Sequence, residues 1–213
     1  VKSTLEAGHS GGPLHYLVLG MTDSKKKWNR IYASGSHVFE TAAVLRRNVD
    51  LIQTRGLALD IACGTGSNAI FLASLGLNVH AWDISTVAIN HLDEEAKKYR
   101  VDIETRVLNI TPNLFPSNSY DLILNCHYLD RSLIPAINES LKPKGFIFFQ
   151  TFTKDKLADI GPTNPDFLLK KDELLQMFAE YEVLLYQDES QSTDTEDPLC
   201  GRACLIGRKQ IRR

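Results

Sequence analysis

ALDIACGTGSNAIFLA, Ala58 to Ala73, is the stretch on which the fold turns. The apolar run GLALDIA (residues 56–62) is too short and too uniformly apolar for anything but a strand buried on both faces. A glycine turn follows, and SNAIFLASL (67–75) reads as a helix stopped by Gly76 as its C-terminal cap. A strand, a glycine turn and a helix in that order bring a backbone close to a ligand. The unusual feature is Asp60, a carboxylate at the mouth of that turn.

The same alternation continues on both sides. SKKKWNRIYA (24–33) and FETAAVLRRN (39–48) read as helices, the first with Trp28, Ile31 and Tyr32 on one face. NVHAWDI (78–84) gives a second strand, and Ser85 is placed to cap a helix over 86–100 that carries Ile89, Leu92, Ala96 and Tyr99 at helical spacing. IETRVLNI (103–110) gives a third strand. YDLILNCHYLD (120–130) gives a fourth, followed by a helix presenting Leu133, Ile134, Ile137 and Leu141 with Pro135 in its first turns. KPKG (142–145) reads as a turn, FIFFQTF (146–152) as a fifth strand and KKDELLQMFA (170–179) as a helix. YEVLLYQDE and RACLIGRK then follow with only the polar SQSTDTEDPLCG between them. That is a hairpin, which gives a mostly parallel sheet an antiparallel edge. The expected fold is α/β: a doubly wound, Rossmann-like sheet, with its ligand at the carboxyl ends of the strands near the switch point.

Length and composition narrow the function classes. The chain has 213 residues, 43% of them hydrophobic, enough for one filled core. Residues 1–22 read as an N-terminal tail, accessory or non-native, and 23–213 as a single domain. A net charge of -2 with scattered Lys and Arg predicts no nucleic-acid partner. No apolar run approaches the roughly 18 residues of a membrane span. The four cysteines are not spaced like disulfide staples and fit a reducing cytoplasm. Cys200 and Cys204 lack the further ligands that a zinc site needs, so no metal is expected.

Gly64, Gly66 and Ala69 satisfy the weaker dinucleotide pattern G-x-G-x-x-A, and Asp83 ends the next strand where it would take ribose hydroxyls. Taken alone, this favours a nicotinamide cofactor and an oxidoreductase. Asp60 argues against it. At about 4 Å and an effective dielectric of about 20, two like unit charges repel by roughly 4 kcal/mol, so a pyrophosphate is penalised there and a cationic ligand is favoured. S-adenosylmethionine carries an ammonium and a sulfonium beside its ribose. The bland alternative is that Asp60 only caps the following helix.

These motifs, with VHAWDIS, TRVLNIT, YDLILNCHYLDRSL, LKPKGFIFFQTF and the closing CLIGRK, resemble in order the class I S-adenosylmethionine-dependent methyltransferases, most closely the tellurite-resistance (TehB-like) group, from about Lys26 to Lys209. The resemblance implies a seven-stranded sheet ordered 3-2-1-4-5-7-6 with strand 7 antiparallel. It implies S-adenosylmethionine as cofactor, with Asp60, Ala62, Cys63, Gly64 and Gly66 at its methionine portion and Asp83 and Ile84 at ribose and adenine. Asn109 and Ile110 would border the adenine and Asn125 the sulfonium, while Trp28 and Tyr32 would fold over the cofactor as a lid or else anchor an amphipathic helix. Ala62 replaces the usual first glycine as a tolerable methyl, and Asn109 replaces the commoner aspartate. The implied partner is a small methyl acceptor (metalloid oxyanion, thiol, amine or hydroxyl compound), and the chain a monomer or homodimer. His127 is the candidate general base, or else a structural histidine; Trp28, Tyr128 and Arg131 are candidates for the acceptor pocket, with helix anchoring (Trp28) and pairing to Asp130 (Arg131) as the alternatives. The 190–201 loop either borders the acceptor or is simply solvated. A methyltransferase-like protein that only binds ligand is the third class.

Overall fold

The computed structural model describes the backbone of residues 13–35 and 39–211, and side chains from Asp23 onward. Seven strands form one sheet: β1 (Leu57–Ile61), β2 (Asn78–Asp83), β3 (Ile103–Val107), β4 (Tyr120–Cys126), β5 (Leu141–Phe152), β6 (Tyr181–Asp188) and β7 (Arg202–Lys209). Their order is β3-β2-β1-β4-β5-β7-β6. β1 to β5 pair in parallel, and β7 runs antiparallel between β5 and β6. The expected hairpin and strand order are both present, with the antiparallel β7 inside the sheet and β6 at its edge. The strand order reverses between β1 and β4, which places the crevice at the carboxyl ends of these two strands.

Alternation along β1 sorts its side chains. Ala58 joins a core on one face with Leu45, Leu72, Leu92, Leu124 and Phe148, while Leu59 and Ile61 join the other with Trp82, Ile123, Phe149 and Phe178. The first face is covered by α2 (Ala43–Arg46), α3 (Ser67–Ser74) and α4 (Thr86–Tyr99), and the second by α5 (Ile134–Ser140) and α6 (Glu173–Met177). Asp60, in phase with Ala58, therefore points towards α3. Tyr99, expected on the buried stripe of α4, is 56% exposed.

Three elements differ from their sequence reading for local reasons. α2 stops after four residues because Asn48 leaves helical geometry at φ -132° and ψ 34°, and its Nδ2 donates to the Val44 carbonyl. α6 starts late because Asp172 is left-handed and the Glu173 carboxylate accepts the Lys170 amide, which caps the helix from inside the expected span. KPKG is not a turn ahead of β5 but its first part, bent at Lys144 (φ 67°) opposite a register shift between Tyr120 and Leu122. The expected tail over 1–22 falls partly outside the described residues; within them, α1 (Pro13–Ala33) runs unbroken through position 22.

Candidate functional site

The carboxyl ends of β1 and β2 hold two buried carboxylates. Asp60 is 1% exposed. The Ala69 amide in the first turn of α3 donates to it, while its Oδ2 has no partner among the described residues. Both readings of Asp60 thus contain part of the answer, since one oxygen serves the helix and the other is left over. Burial, and then the nearby Asp83, push its pKa well above the usual carboxylate range.

Asp83 has both oxygens engaged. Oδ2 accepts from the Gly64 amide at 2.9 Å and Oδ1 from the Ser85 amide at 2.8 Å. Burial raises its pKa, and hydrogen bonds from the Ser85, Gly64 and Ile84 amides oppose the rise. The carboxylate therefore fixes the glycine loop and the start of α4, with second lone pairs left on each oxygen. Ser85 caps α4 as expected, its Oγ accepting from the Ala88 amide.

The loop residues divide by what they face. At Gly64 (φ 55°) an added Cβ would lie 2.8 Å from the Tyr32 hydroxyl oxygen, so α1 closes over the loop there. At Gly66 (φ 85°) a Cβ would meet Leu92 Cδ1 at 2.1 Å. Gly66 is therefore a packing glycine between α3 and α4, and its missing side chain serves Leu92 rather than a ligand. Ala62 is left-handed (φ 53°), so its methyl is not simply tolerated: a non-glycine residue in that conformation costs about 1–2 kcal/mol. Cys63 is buried, and burial followed by Asp60 raises its thiol pKa. Burial raises the pKa of the half-buried Tyr32, with Asp83, Cys63 and Asp60 adding to it. Ile84 and Asn109 are half-buried and Ile110 buried at the ends of β2 and β3.

At the end of β4, Asn125 is 2% exposed. Its Nδ2 donates to the Tyr128 carbonyl at 2.9 Å and its Oδ1 has no partner among the described residues. His127 is left-handed (φ 57°) and its amide donates to the Gln150 carbonyl. Gln150 Oε1 accepts the Val44 amide, which orients the carboxamide so that its Nε2 donates to His127 Nε2 at 3.2 Å. Arg202 Nε donates to the same nitrogen at 3.2 Å, and its guanidinium stacks on Phe152 at 4.3 Å. His127 as a residue is exposed, yet desolvation by the chain packed around its ring, and then the Arg202 charge, lower its pKa to about 4. The expected general base is thus a neutral imidazole whose Nε2 lone pair already has two donors. Gln150 and Arg202 are what the sequence reading missed; the signal was a lone Gln inside the aromatic strand FIFFQTF.

Arg131 does not pair with Asp130. It grips Glu173 through Nε (2.6 Å) and Nη2 (2.9 Å) and donates to the Asp166 and Leu168 carbonyls, leaving Asp130 to cap Ser132. Burial, then Asp130 and Asp83, push the Tyr128 pKa up to about 12. Trp28 is 39% exposed and stacks on Tyr32 at 5.9 Å between ring centroids. The 190–201 loop is not merely solvated: Leu199 and Cys200 are buried and Asp197 pairs with Arg47 at 3.0 Å. Cys200 and Cys204 Sγ face the Ser192 carbonyl and Gln187 Oε1 respectively.

The strand order and the crevice between β1 and β4 define the Rossmann-like fold class of the S-adenosylmethionine-dependent methyltransferases. One member from Aquifex aeolicus is similar over 76% of this chain and 88% of its own, at 16% identity and a TM-score of 0.56. More particularly, the chain belongs to the family described as tellurite resistance protein TehB, whose model matches residues 25–202. TehB from Haemophilus influenzae is similar in structure over 86% of this chain and 67% of its own, with a TM-score of 0.67 and 22% identity. A curated relative from that organism, "Probable S-adenosyl-L-methionine-dependent methyltransferase TehB", is 27% identical over 138 residues, 61% of this chain and 47% of the relative. The chain thus spans about half the length of the curated relatives it matches.

Proposed function

We propose that this chain binds S-adenosylmethionine and transfers its methyl group in line to a small acceptor. The observation that carries the reading is the Asp60 Oδ2, a buried acceptor without a donor among the described residues, beside a second buried carboxylate and a glycine turn. An ammonium supplies what Asp60 lacks, whereas a pyrophosphate meets two negative charges. Membership of the TehB family and the fold point the same way.

In this reading Asp60 takes the amino-acid end, Asp83 accepts from the ribose hydroxyls with its remaining lone pairs, and Ile84, Asn109 and Ile110 border the adenine. Tyr32 and the Gly64 backbone exclude water, and Asn125 Oδ1 faces the acceptor side. The bound cofactor supplies an activated methyl group on a good leaving group. The chain's task is then chiefly alignment and dryness. His127 borders the acceptor as a positioning group, because Arg202 and Gln150 occupy the nitrogen that a base would need. We further read residues 23–213 as one cytoplasmic domain, monomer or homodimer, acting on a metalloid oxyanion, thiol, amine or hydroxyl compound. Among the described residues no helix is long and apolar enough to cross a membrane.

Thermal melts with S-adenosylhomocysteine and with NAD test this. At a hundredfold excess over its dissociation constant the first should stabilise the protein by about 2.7 kcal/mol. A shift with NAD and none with S-adenosylhomocysteine would overturn the reading in favour of an oxidoreductase.

A further inference from the structure

α1 meets the end of β2 through two residues three apart in sequence. Tyr32 lies against Gly64. Asn29 engages α4 instead: its Oδ1 accepts from the Ser85 hydroxyl at 2.7 Å and faces the Val87 amide at 3.4 Å. The first turn of any helix leaves its amides without intrahelical partners. In α4 Ser85 satisfies Ala88, and α1 reaches across to the amide before it, so the cap is split between two helices. The Ser85 amide in turn donates to Asp83. Asn29 is thereby one hydrogen-bonded residue away from the ribose carboxylate.

Apolar packing by the described side chains of α1, from Asp23 onward, does little to hold it there. None of its described side chains is buried, and only Lys25, Asn29 and Tyr32, on one face at helical spacing, are half-buried. Trp28 and Ile31 are exposed at 39% and 36%. A helix end with so few buried side chains detaches at low cost, and its polar contacts then set how often it does so.

We propose that Asn29 is a positioning residue, the latch that holds α1 and Tyr32 over the cofactor site and governs how fast S-adenosylmethionine leaves it. The proposal rests on reading Asp60 and Asp83 as that site.

The test follows S-adenosylhomocysteine dissociation by stopped flow in the full chain, with Asn29→Leu and Asn29→Asp. Leucine keeps the bulk and the helix but removes the acceptor oxygen, whereas aspartate keeps the oxygen at the positive end of α4. Trp28 gives an independent readout: the chain has two tryptophans, and Trp82 is 1% exposed, so acrylamide quenching reports α1. Asn29→Leu should release ligand about threefold to tenfold faster, as expected for one or two neutral hydrogen bonds, with Trp28 more open to quencher. Asn29→Asp should stay near wild type in both. An unchanged off-rate in the leucine variant, or an aspartate variant as fast as the leucine one, would overturn the latch. Wild-type protein that fails to bind S-adenosylhomocysteine would overturn the site itself, and is told apart because no variant is needed to see it.

Discussion

Two regions share the carboxyl edge of one sheet and treat their polar groups in opposite ways. At β1 and β2, Asp60 and Asp83 are buried with no ion-pair partner among the described residues, and Asp60 keeps an oxygen that has no donor there. At β4, β5 and β7, His127, Gln150 and Arg202 bond to one another, and Arg131 is held by Glu173 and two carbonyls. A buried polar group without a partner costs free energy, so Asp60 in the first region and Asn125 at the end of β4 call for a ligand group that the described residues do not supply, while the His127, Gln150 and Arg202 group is close to self-sufficient. Ligand chemistry is therefore readable at the first region, and the acceptor is much less so at the second.

The largest effect should follow Asp83→Ala. It removes one hydrogen bond from the Gly64 loop and one from Ser85 at the start of α4, as well as those proposed from a ribose, at about 1.5–3 kcal/mol each. Affinity for S-adenosylhomocysteine should fall at least tenfold by calorimetry and the melting temperature should drop by several degrees. Unchanged affinity in a folded variant would remove Asp83 from the site.

Asp60→Asn sharpens the contrast through pH. The raised pKa means that the folded chain holds a proton which the unfolded chain releases above about 3.9. That contribution to stability is fully present below the unfolded value and is lost as pH rises through the folded one. The variant should therefore melt above wild type at neutral pH, with the gap closing towards pH 4. A pH-independent difference would mean that Asp60 is not a strained carboxylate.

Ala62→Gly should stabilise the protein by about 1 kcal/mol, the relief of left-handed strain less the added chain entropy, and raise the melting temperature by about 2–4 °C. Lower stability would show that the methyl packs usefully. The smallest effect is expected in the second region. His127→Gln should change transfer of labelled methyl to tellurite or a small thiol, whichever wild type methylates, by less than about threefold. Loss of a general base costs about a hundredfold to ten-thousandfold, and a fall of that size would restore His127 as the base.

The first region was legible in the sequence because its signals are local. A short apolar run ending in Asp60, glycines at 64 and 66, and Asp83 closing the next strand carry their meaning within one βα unit, and the order of such units carries the sheet. The second region depends on contacts far apart in the chain. Gln150 reaches Val44 across 106 residues and Arg202 reaches His127 across 75, so no window around His127 reveals that its nitrogen is taken. The same distance hid the brace between Arg131 and Glu173. Gly66 shows a subtler limit: the pattern identifies a glycine, but only packing reveals that Leu92 fills the space.

Titration calorimetry of S-adenosylmethionine and NAD against wild type and Asp60→Asn at low salt tests most directly whether a cationic ligand draws Asp60 into its charged form and pairs with it. Asparagine keeps the shape and can still accept the Ala69 amide, so only the attraction is deleted. The account predicts weaker S-adenosylmethionine binding by the variant and NAD binding that is unchanged or slightly improved. Equal affinity of both proteins for S-adenosylmethionine would leave Asp60 a helix cap and contradict the account.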